Sequence, residues 1–296
     1  MDQAAVGLAR EWFPRGLSQP SHGFRFSLDA LLLSAFAGRE RVRGRVLDLG
    51  TGCGVVGLGL ALDHPDFFGV GLDVNPDMLA HARENARRLG LADRFAFLAG
   101  DVRRPGCLAP ESSDLVLCNP PYREPSRGRV CPDASRTMAR FEAGASLSDF
   151  VRAAAWAVRN RKPCAFIHLA ERADKLLHLL REARLQPKEI RFVHPNIHGP
   201  ARLALVRAVK NGGPGLTVAA PLILHEDEGE STRLTAGALA FCPRLACNAG
   251  GEGRAHDKKN PRLKRGKGSV ERGRSYLLIR PMMNEMIAVA TSSPMT

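Results

Sequence analysis

The stretch that most constrains this chain is Arg45-Val46-Leu47-Asp48-Leu49-Gly50-Thr51-Gly52-Cys53-Gly54, followed by the helical spacing of Val55 to Asp63. An apolar run, three glycines at alternate positions and an apolar helix predict a strand, a tight turn and a helix. Gly50, Gly52 and Gly54 let the backbone turn sharply and approach a ligand, with the helix N-terminus behind them. Alone, Gly-x-Gly-x-Gly is a weak signal, because many α/β turns carry one. Here a second strand follows, Phe67 to Asp73, then Asp77, a helix from Met78 to Leu89 and a third strand from Phe95 to Leu98. Asp48, Asp73 and Asp101 stand at the ends of these three strands. A strand–helix–strand rhythm predicts a parallel sheet, and the acids would line the edge at which doubly wound folds bind ligands.

The fourth strand is predicted at Asp114-Leu115-Val116-Leu117-Cys118, and it runs into Asn119-Pro120-Pro121-Tyr122. An amide that donates and accepts, two prolines that fix φ and lack N–H groups, and a flat aromatic make a rigid polar corner. Such a corner suits a planar –NH2 held while its nitrogen attacks an electrophile. A Pro-rich turn that merely ends a strand is the bland alternative, and the three preceding strand-end acids weigh against it.

Leu147 to Asn160 has helical spacing, Cys164 to Leu169 reads as a fifth strand, and Ala173 to Ala183 as a helix. Ile190 to Val193 and Leu203 to Val209 are expected to pair as the closing, antiparallel strands. The predicted fold is therefore α/β, doubly wound, with a mostly parallel seven-stranded sheet. Residues 1–40 read as a lead-in, with a short extended piece, an Asp or Ser cap and the apolar helix Ala30 to Ala37. Residues 41–225 form the predicted domain, and residues 226–296 a basic, partly disordered extension. His168, His194 and His198 fall on separate elements without ligand spacing, so they are read as structural and no metal site is predicted.

The formal net charge is +13, and residues 242–296 alone carry 11 Lys/Arg against 4 Asp/Glu. A polyanionic partner is the physical expectation. No apolar run is long enough to span a bilayer, and Met1 to Arg15 lacks the apolar centre of an export signal. The seven cysteines show no Cys-x-x-Cys spacing. They are expected to be reduced thiols in a cytoplasmic protein.

The spacing of Gly50, Gly52 and Gly54 differs from the dinucleotide fingerprint and resembles the S-adenosylmethionine site of the class I methyltransferases. That resemblance implies S-adenosylmethionine as cofactor. It implies that the glycine turn Gly50–Gly54 passes the methionine moiety, that Asp73 holds the ribose and Asp101 contacts the adenine amine, with Asp48 also counted among the cofactor-binding residues. Asn119-Pro120-Pro121-Tyr122 after the fourth strand resembles the amino-methylating branch, which acts on adenine N6, cytosine N4 or a glutamine amide. By that resemblance the Asn119 side chain and the Pro120 carbonyl accept the two target N–H groups, and Tyr122 stacks on the target.

Further matches narrow the resemblance: Phe24-Arg25-Phe26-Ser27-Leu28-Asp29-Ala30-Leu31-Leu32-Leu33, Ala139-Arg140-Phe141-Glu142, Val193-His194-Pro195 and Pro221-Leu222-Ile223-Leu224-His225. In this order, over roughly residues 20–230, they look like the tRNA adenine-N6 methyltransferases that modify the adenosine 3′ of the anticodon in valine tRNA. The chain departs from that family at Phe141, where His is common, and at Ser231-Thr232-Arg233, where an aromatic residue is common. An RNA partner, tRNA above all, is implied. The loop Arg123 to Ser146 carries five arginines against three acids. Among them Arg123, Arg127, Arg129 and Arg140 are candidates for gripping phosphates beside a splayed-out base.

The alternatives are glutamine-N5 methylation of a release factor, amino methylation of rRNA, and a cofactor-binding RNA-interaction protein without catalysis. The release-factor enzymes carry a helical domain ahead of the glycine turn, for which the 47 residues before Asp48 are too few. An intact Asn119 to Tyr122 speaks against loss of catalysis.

Overall fold

The computed structural model describes residues 2–20, 27–122, 144–226, 233–247 and residue 286. Three β/α steps come first: β1 (Gly44–Leu49), α3 (Val55–Asp63), β2 (Phe67–Asp73), α4 (Pro76–Arg88), β3 (Phe95–Ala99). Two helices precede them, α1 (Gln3–Glu11) and α2 (Leu28–Ala37). After β4 (Leu115–Cys118) come α5 (Leu147–Ala157), β5 (Pro163–Leu169) and α6 (Ala173–Glu182). The hairpin β6 (Leu185–His194) and β7 (Leu203–Lys210) follows. Two short strands and a helix come last: β8 (Thr217–Val218), β9 (Leu222–Ile223) and α7 (Ala236–Phe241).

The strand order is β3-β2-β1-β4-β5-β7-β6. Neighbours from β3 to β5 pair in parallel, whereas β7 runs antiparallel to both β5 and β6. The expected seven strands are all present, and the sheet is larger by two. β8 and β9 each add a two-residue parallel pairing on the outer side of β6. The chain winds from β1 outward to β3, returns to β4 on the other side of β1, and continues to β5. The carboxyl ends of β1 and β4 therefore meet at the switch point, where this topology leaves a crevice.

Alternation along the strands explains the layers. Val46, Leu115 and Leu117 face one core cluster, shared with α2, α3 and α4. Leu47, Leu49, Val116 and Cys118 face the other, shared with α5 and α6. A strand buried on both faces reads as a continuous apolar run, which is what Leu115 to Cys118 is. No described helix is long and apolar enough to cross a membrane.

Residues 233–247, past the expected boundary at residue 226, pack against the body of the fold. Ala238, Cys242 and Leu245 are buried in the same cluster as Phe13 and Leu31. Thr235 caps α7, accepting from the Ala238 N–H at 3.0 Å and donating to the Ile223 carbonyl at 2.6 Å. Arg244 is paired with Asp63 at the end of α3. These residues thus belong to the packed body, and the charged composition around them hid a short apolar stripe. Met286 is 1% exposed, sits in the α5 cluster and accepts from the Ala109 N–H at 2.9 Å.

Candidate active site

The site is assembled at the carboxyl edge of the parallel strands. Gly50, Gly52 and Gly54 all adopt positive φ, at 69°, 56° and 89°. The turn they make hangs from β2, since the Gly50 and Thr51 N–H groups donate to the Leu72 carbonyl at 2.8 and 3.0 Å. A Cβ on Gly50 would lie 2.9 Å from the Phe150 ring, and one on Gly52 3.3 Å from Met78. Only glycine fits Gly50's combination of left-handed backbone and close neighbour.

Asp73, at the end of β2, holds the turn from the side. Its Oδ2 accepts from the Gly52 N–H and its Oδ1 from the Asn75 N–H, each at 2.8 Å. Burial raises its pKa, and those backbone donors oppose the rise. Each carboxylate oxygen keeps a second acceptor position, so Asp73 can hold the turn and still accept from a pair of hydroxyls. Asp101 follows β3. Arg103 clasps its carboxylate through Nε at 2.9–3.0 Å and Nη2 at 2.7 Å, and this pairing lowers the Asp101 pKa.

Asp48 differs from the other two acids. Grouped by sequence with the ligand-facing residues, it is 1% exposed and turned inward. Its Oδ2 accepts from the Thr51 hydroxyl at 2.7 Å and from the Gly57 N–H at 3.2 Å. Burial raises its pKa to about 6 against the lowering effect of those bonds. It braces the turn and the start of α3 from beneath and offers no open face to a ligand.

Across the switch point, Leu49 is level with Cys118. The glycine turn and Asn119 therefore leave neighbouring strands, about 5 Å apart, at the same height. Asn119 is half-buried, and nothing among the described residues hydrogen-bonds its side-chain amide. Pro120 is buried and Pro121 exposed, which fixes the corner between the core and the open edge. Tyr122 is half-buried, and its hydroxyl donates to the Asp29 carboxylate on α2. Its ring stands at 79° to that of His168, with centroids 5.4 Å apart. Burial, together with the Asp29 charge, pushes the phenol pKa far above its usual range, so Tyr122 stays protonated.

A family model described as a methyltransferase domain matches residues 41–179. Residues 41–179 are thus similar to a methyltransferase domain. It is similar to a tRNA1(Val) (adenine(37)-N6)-methyltransferase of Parabacteroides distasonis, 29% identical over 181 residues, 60% of this chain and 73% of the relative. It is also similar to a release factor glutamine methyltransferase of Rhodospirillum rubrum, 39% identical over 94 residues, 32% of this chain and 28% of the relative. The chain thus spans little more than a quarter of that second relative. A solved structure described as a predicted O-methyltransferase from Agrobacterium tumefaciens superposes with a TM-score of 0.59 at 22% identity. It covers 73% of this chain and 96% of that one. That last likeness is one of fold.

Gly50, Gly52, Gly54, Asp73, Asp101, Asn119, Pro120 and Tyr122 all follow or end strands at one edge of the sheet. Arg123, Arg127, Arg129, Arg140 and Phe141 lie outside the described residues, as do Ser231 and Thr232. His168 packs against the Tyr122 ring, and His194 Nδ1 is bonded to the Gly199 carbonyl at 2.9 Å. Among the described residues no group of His, Cys, Asp and Glu has metal-binding geometry.

Two residues of the site escaped the sequence reading. Thr51 occupies a variable-looking position of the glycine turn yet anchors it to Asp48. Asp29 looked like a cap of α2. The N-cap is Ser27, whose side chain makes no capping bond, and Asp29 is bonded to Tyr122 instead. An acid in a first helical turn that already has a serine at the cap was the available signal.

Proposed function

We propose that this methyltransferase moves a methyl group from S-adenosylmethionine to the N6 amine of an adenosine in RNA, in the anticodon loop of a valine tRNA. The carrying observation is the uncommitted Asn119 amide, level with the glycine turn and beside a tyrosine ring fixed at its hydroxyl. The residues present suit the cofactor: a turn in which a Cβ would meet Phe150 or Met78, and an Asp73 with acceptor positions to spare. The Gly50–Gly54 turn would lie along the methionine moiety and Asp73 would take the ribose hydroxyls. Asp101 would accept from the adenine amine while sharing its carboxylate with Arg103. Bound there, the cofactor supplies an electrophilic methyl group on a cationic sulfur.

The target amine of an adenine is a poor nucleophile, because its lone pair is delocalised into the ring. Asn119 Oδ1 and the Pro120 carbonyl would accept hydrogen bonds from its two N–H groups, favouring a pyramidal nitrogen with its lone pair aimed across the switch point. The Tyr122 ring would stack on the base and set its plane. In-line positioning and electrostatics then supply the rate enhancement. The surplus proton leaves after transfer, and no side chain is assigned as a general base. The base must leave its stack to reach this corner.

Glutamine methylation on a protein uses the same chemistry, and the local identity to a release-factor enzyme supports it as the second reading. The RNA reading is supported by an alignment nearly twice as long and by a net charge of +13. The deciding experiment is transfer of labelled methyl to tRNA from cells lacking this activity, followed by nucleoside mass spectrometry. The expected product is N6-methyladenosine, absent with Asn119→Ala while cofactor still binds. Label in release factor and none in RNA overturns the RNA reading.

A further inference from the structure

We infer that Asp29 is a positioning residue for Tyr122, setting the tilt of the aromatic ring that meets the acceptor group. The inference rests on the proposed stacking role of Tyr122 and extends it to a residue 93 positions earlier in the chain. A phenol attached to a strand end can rotate about two side-chain bonds. Stacking needs one plane, and here two elements set it. The tip of the ring is tied to Asp29, the second residue of α2, and its body stands at 79° to the buried imidazole of His168 on β5. A perpendicular neighbour can cover at most one face of the phenol, and in the proposed role the acceptor stacks on the other.

The same contact assigns the hydroxyl. Because it donates to Asp29, it is not directed at the acceptor, and Tyr122 would act through its ring alone. A hydrogen bond to a carboxylate is stronger than one between neutral groups. It is therefore suited to hold a ring whose plane matters. Asp29 in turn stands at the start of a helix that is buried over most of its length, so its backbone is a firm support.

The first test is a double-mutant cycle in the full chain, read as kcat on the methylated acceptor alongside cofactor Kd and melting temperature. Asp29→Ala is expected to lower kcat about tenfold, with cofactor Kd within about twofold of wild type. Asp29→Asn, which keeps an acceptor oxygen, is expected to recover most of that loss. Tyr122→Phe should share the Asp29→Ala defect, and the double variant should be no worse than the poorer single one. Wild-type kcat in Asp29→Ala, or losses that multiply in the double variant, overturns the inference.

A second test needs no acceptor. The chain has two tyrosines, Tyr122 and Tyr276. In Tyr276→Phe the phenolate absorbance at alkaline pH reports Tyr122 alone, over the range in which circular dichroism shows the fold intact. Burial holds the phenol up in both proteins, so adding Asp29→Ala, which removes the neighbouring charge, is expected to bring that absorbance in at lower pH, and absorbance that comes in at higher pH in the variant refutes the contact. A wild-type protein that leaves RNA unlabelled defeats the RNA reading, while this titration still reports whether Asp29 holds the Tyr122 hydroxyl.

Discussion

The Thr51 hydroxyl donates to the Asp48 carboxylate at 2.7 Å, and the acceptor oxygen is shared with the Gly57 N–H. One buried acid therefore fixes both ends of the glycine turn, the residue after its first glycine and the first turn of α3. The cost of this arrangement is a carboxylate without exposure to water, and burial lifts its pKa from 3.8 to about 6.

That rise makes stability depend on pH. Folded Asp48 holds its proton more tightly than the unfolded chain does, so the residue favours folding most at pH 4 and below. The contribution is lost as pH rises through about 6, and it amounts to at most about 3 kcal/mol. Asp48→Asn keeps an oxygen for Thr51 and Gly57 and never charges. The melting-temperature difference, variant minus wild type, is expected to be smallest near pH 4 and to grow in the variant's favour toward pH 7. Scanning calorimetry across that range checks it, and a flat difference would show that Asp48 titrates normally.

Gly50→Ala tests the turn from above. The position has φ of 69° and only 2.9 Å of room before the Phe150 ring. The left-handed backbone costs a residue with a Cβ about 1–2 kcal/mol, and Phe150 must also shift. We expect a lower melting temperature together with a loss of cofactor affinity of about tenfold or more. Gly106→Ala, where a Cβ meets nothing within 4 Å, should change neither. Equal behaviour of the two variants, by calorimetry and titration, would remove the close approach at Gly50 as the reason for glycine there.

Arg103 and an adenine amine would compete for the same carboxylate. Arg103 occupies both oxygens of Asp101 from an exposed position, where ion pairs are weak. If Asp101 receives the cofactor's adenine, Arg103→Ala should tighten cofactor binding by roughly two- to fivefold, because a weak surface pair no longer has to yield. Isothermal titration measures this directly. A weaker complex would assign Arg103 to the cofactor and Asp101 to holding Arg103.

How far the sequence could be read depended on whether periodicity or a long-range contact set the structure. β2 and α3 fall on their expected bounds, Phe67–Asp73 and Val55–Asp63, because their apolar patterns end at sharp polar or glycine boundaries. α1 was invisible because it buries no residue, so no apolar stripe betrays it. β8 and β9 are two residues each, too short to carry a pattern. At the site, Asp73 and Asn119 were legible from their place after a strand. The inward turn of Asp48 was not, since the three strand-end acids look alike until Thr51 and Gly57 are seen to claim one of them. Asp29 was equally opaque, because its partner lies 93 residues away.

Asn85 makes a longer-range case of the same kind, and it can be tested by stability alone. It is fully buried on α4, and both its Nδ2 hydrogens and its Oδ1 are bonded. Nδ2 donates to the Cys53 carbonyl within the glycine turn at 2.9 Å and to the Ser18 carbonyl at 3.0 Å, while Oδ1 accepts from the Ser18 N–H at 2.6 Å. One side chain thus fastens the N-terminal segment to the turn. Asn85→Ala strands the buried Cys53 carbonyl and frees the half-buried carbonyl and N–H of Ser18, at a cost of about 3 kcal/mol, or a melting temperature lower by roughly 6–12 °C. Because the Cys53 carbonyl is one of the groups released, cofactor affinity should fall as well. Ser18→Ala provides the contrast: Ser18 reaches Asn85 through its backbone, and only its hydroxyl contact to His81 at 2.7 Å is lost. That variant should melt within about 2 °C of wild type and bind cofactor normally. If the two variants instead lose stability equally, the Ser18 side chain is the fastening and the Asn85 amide is not.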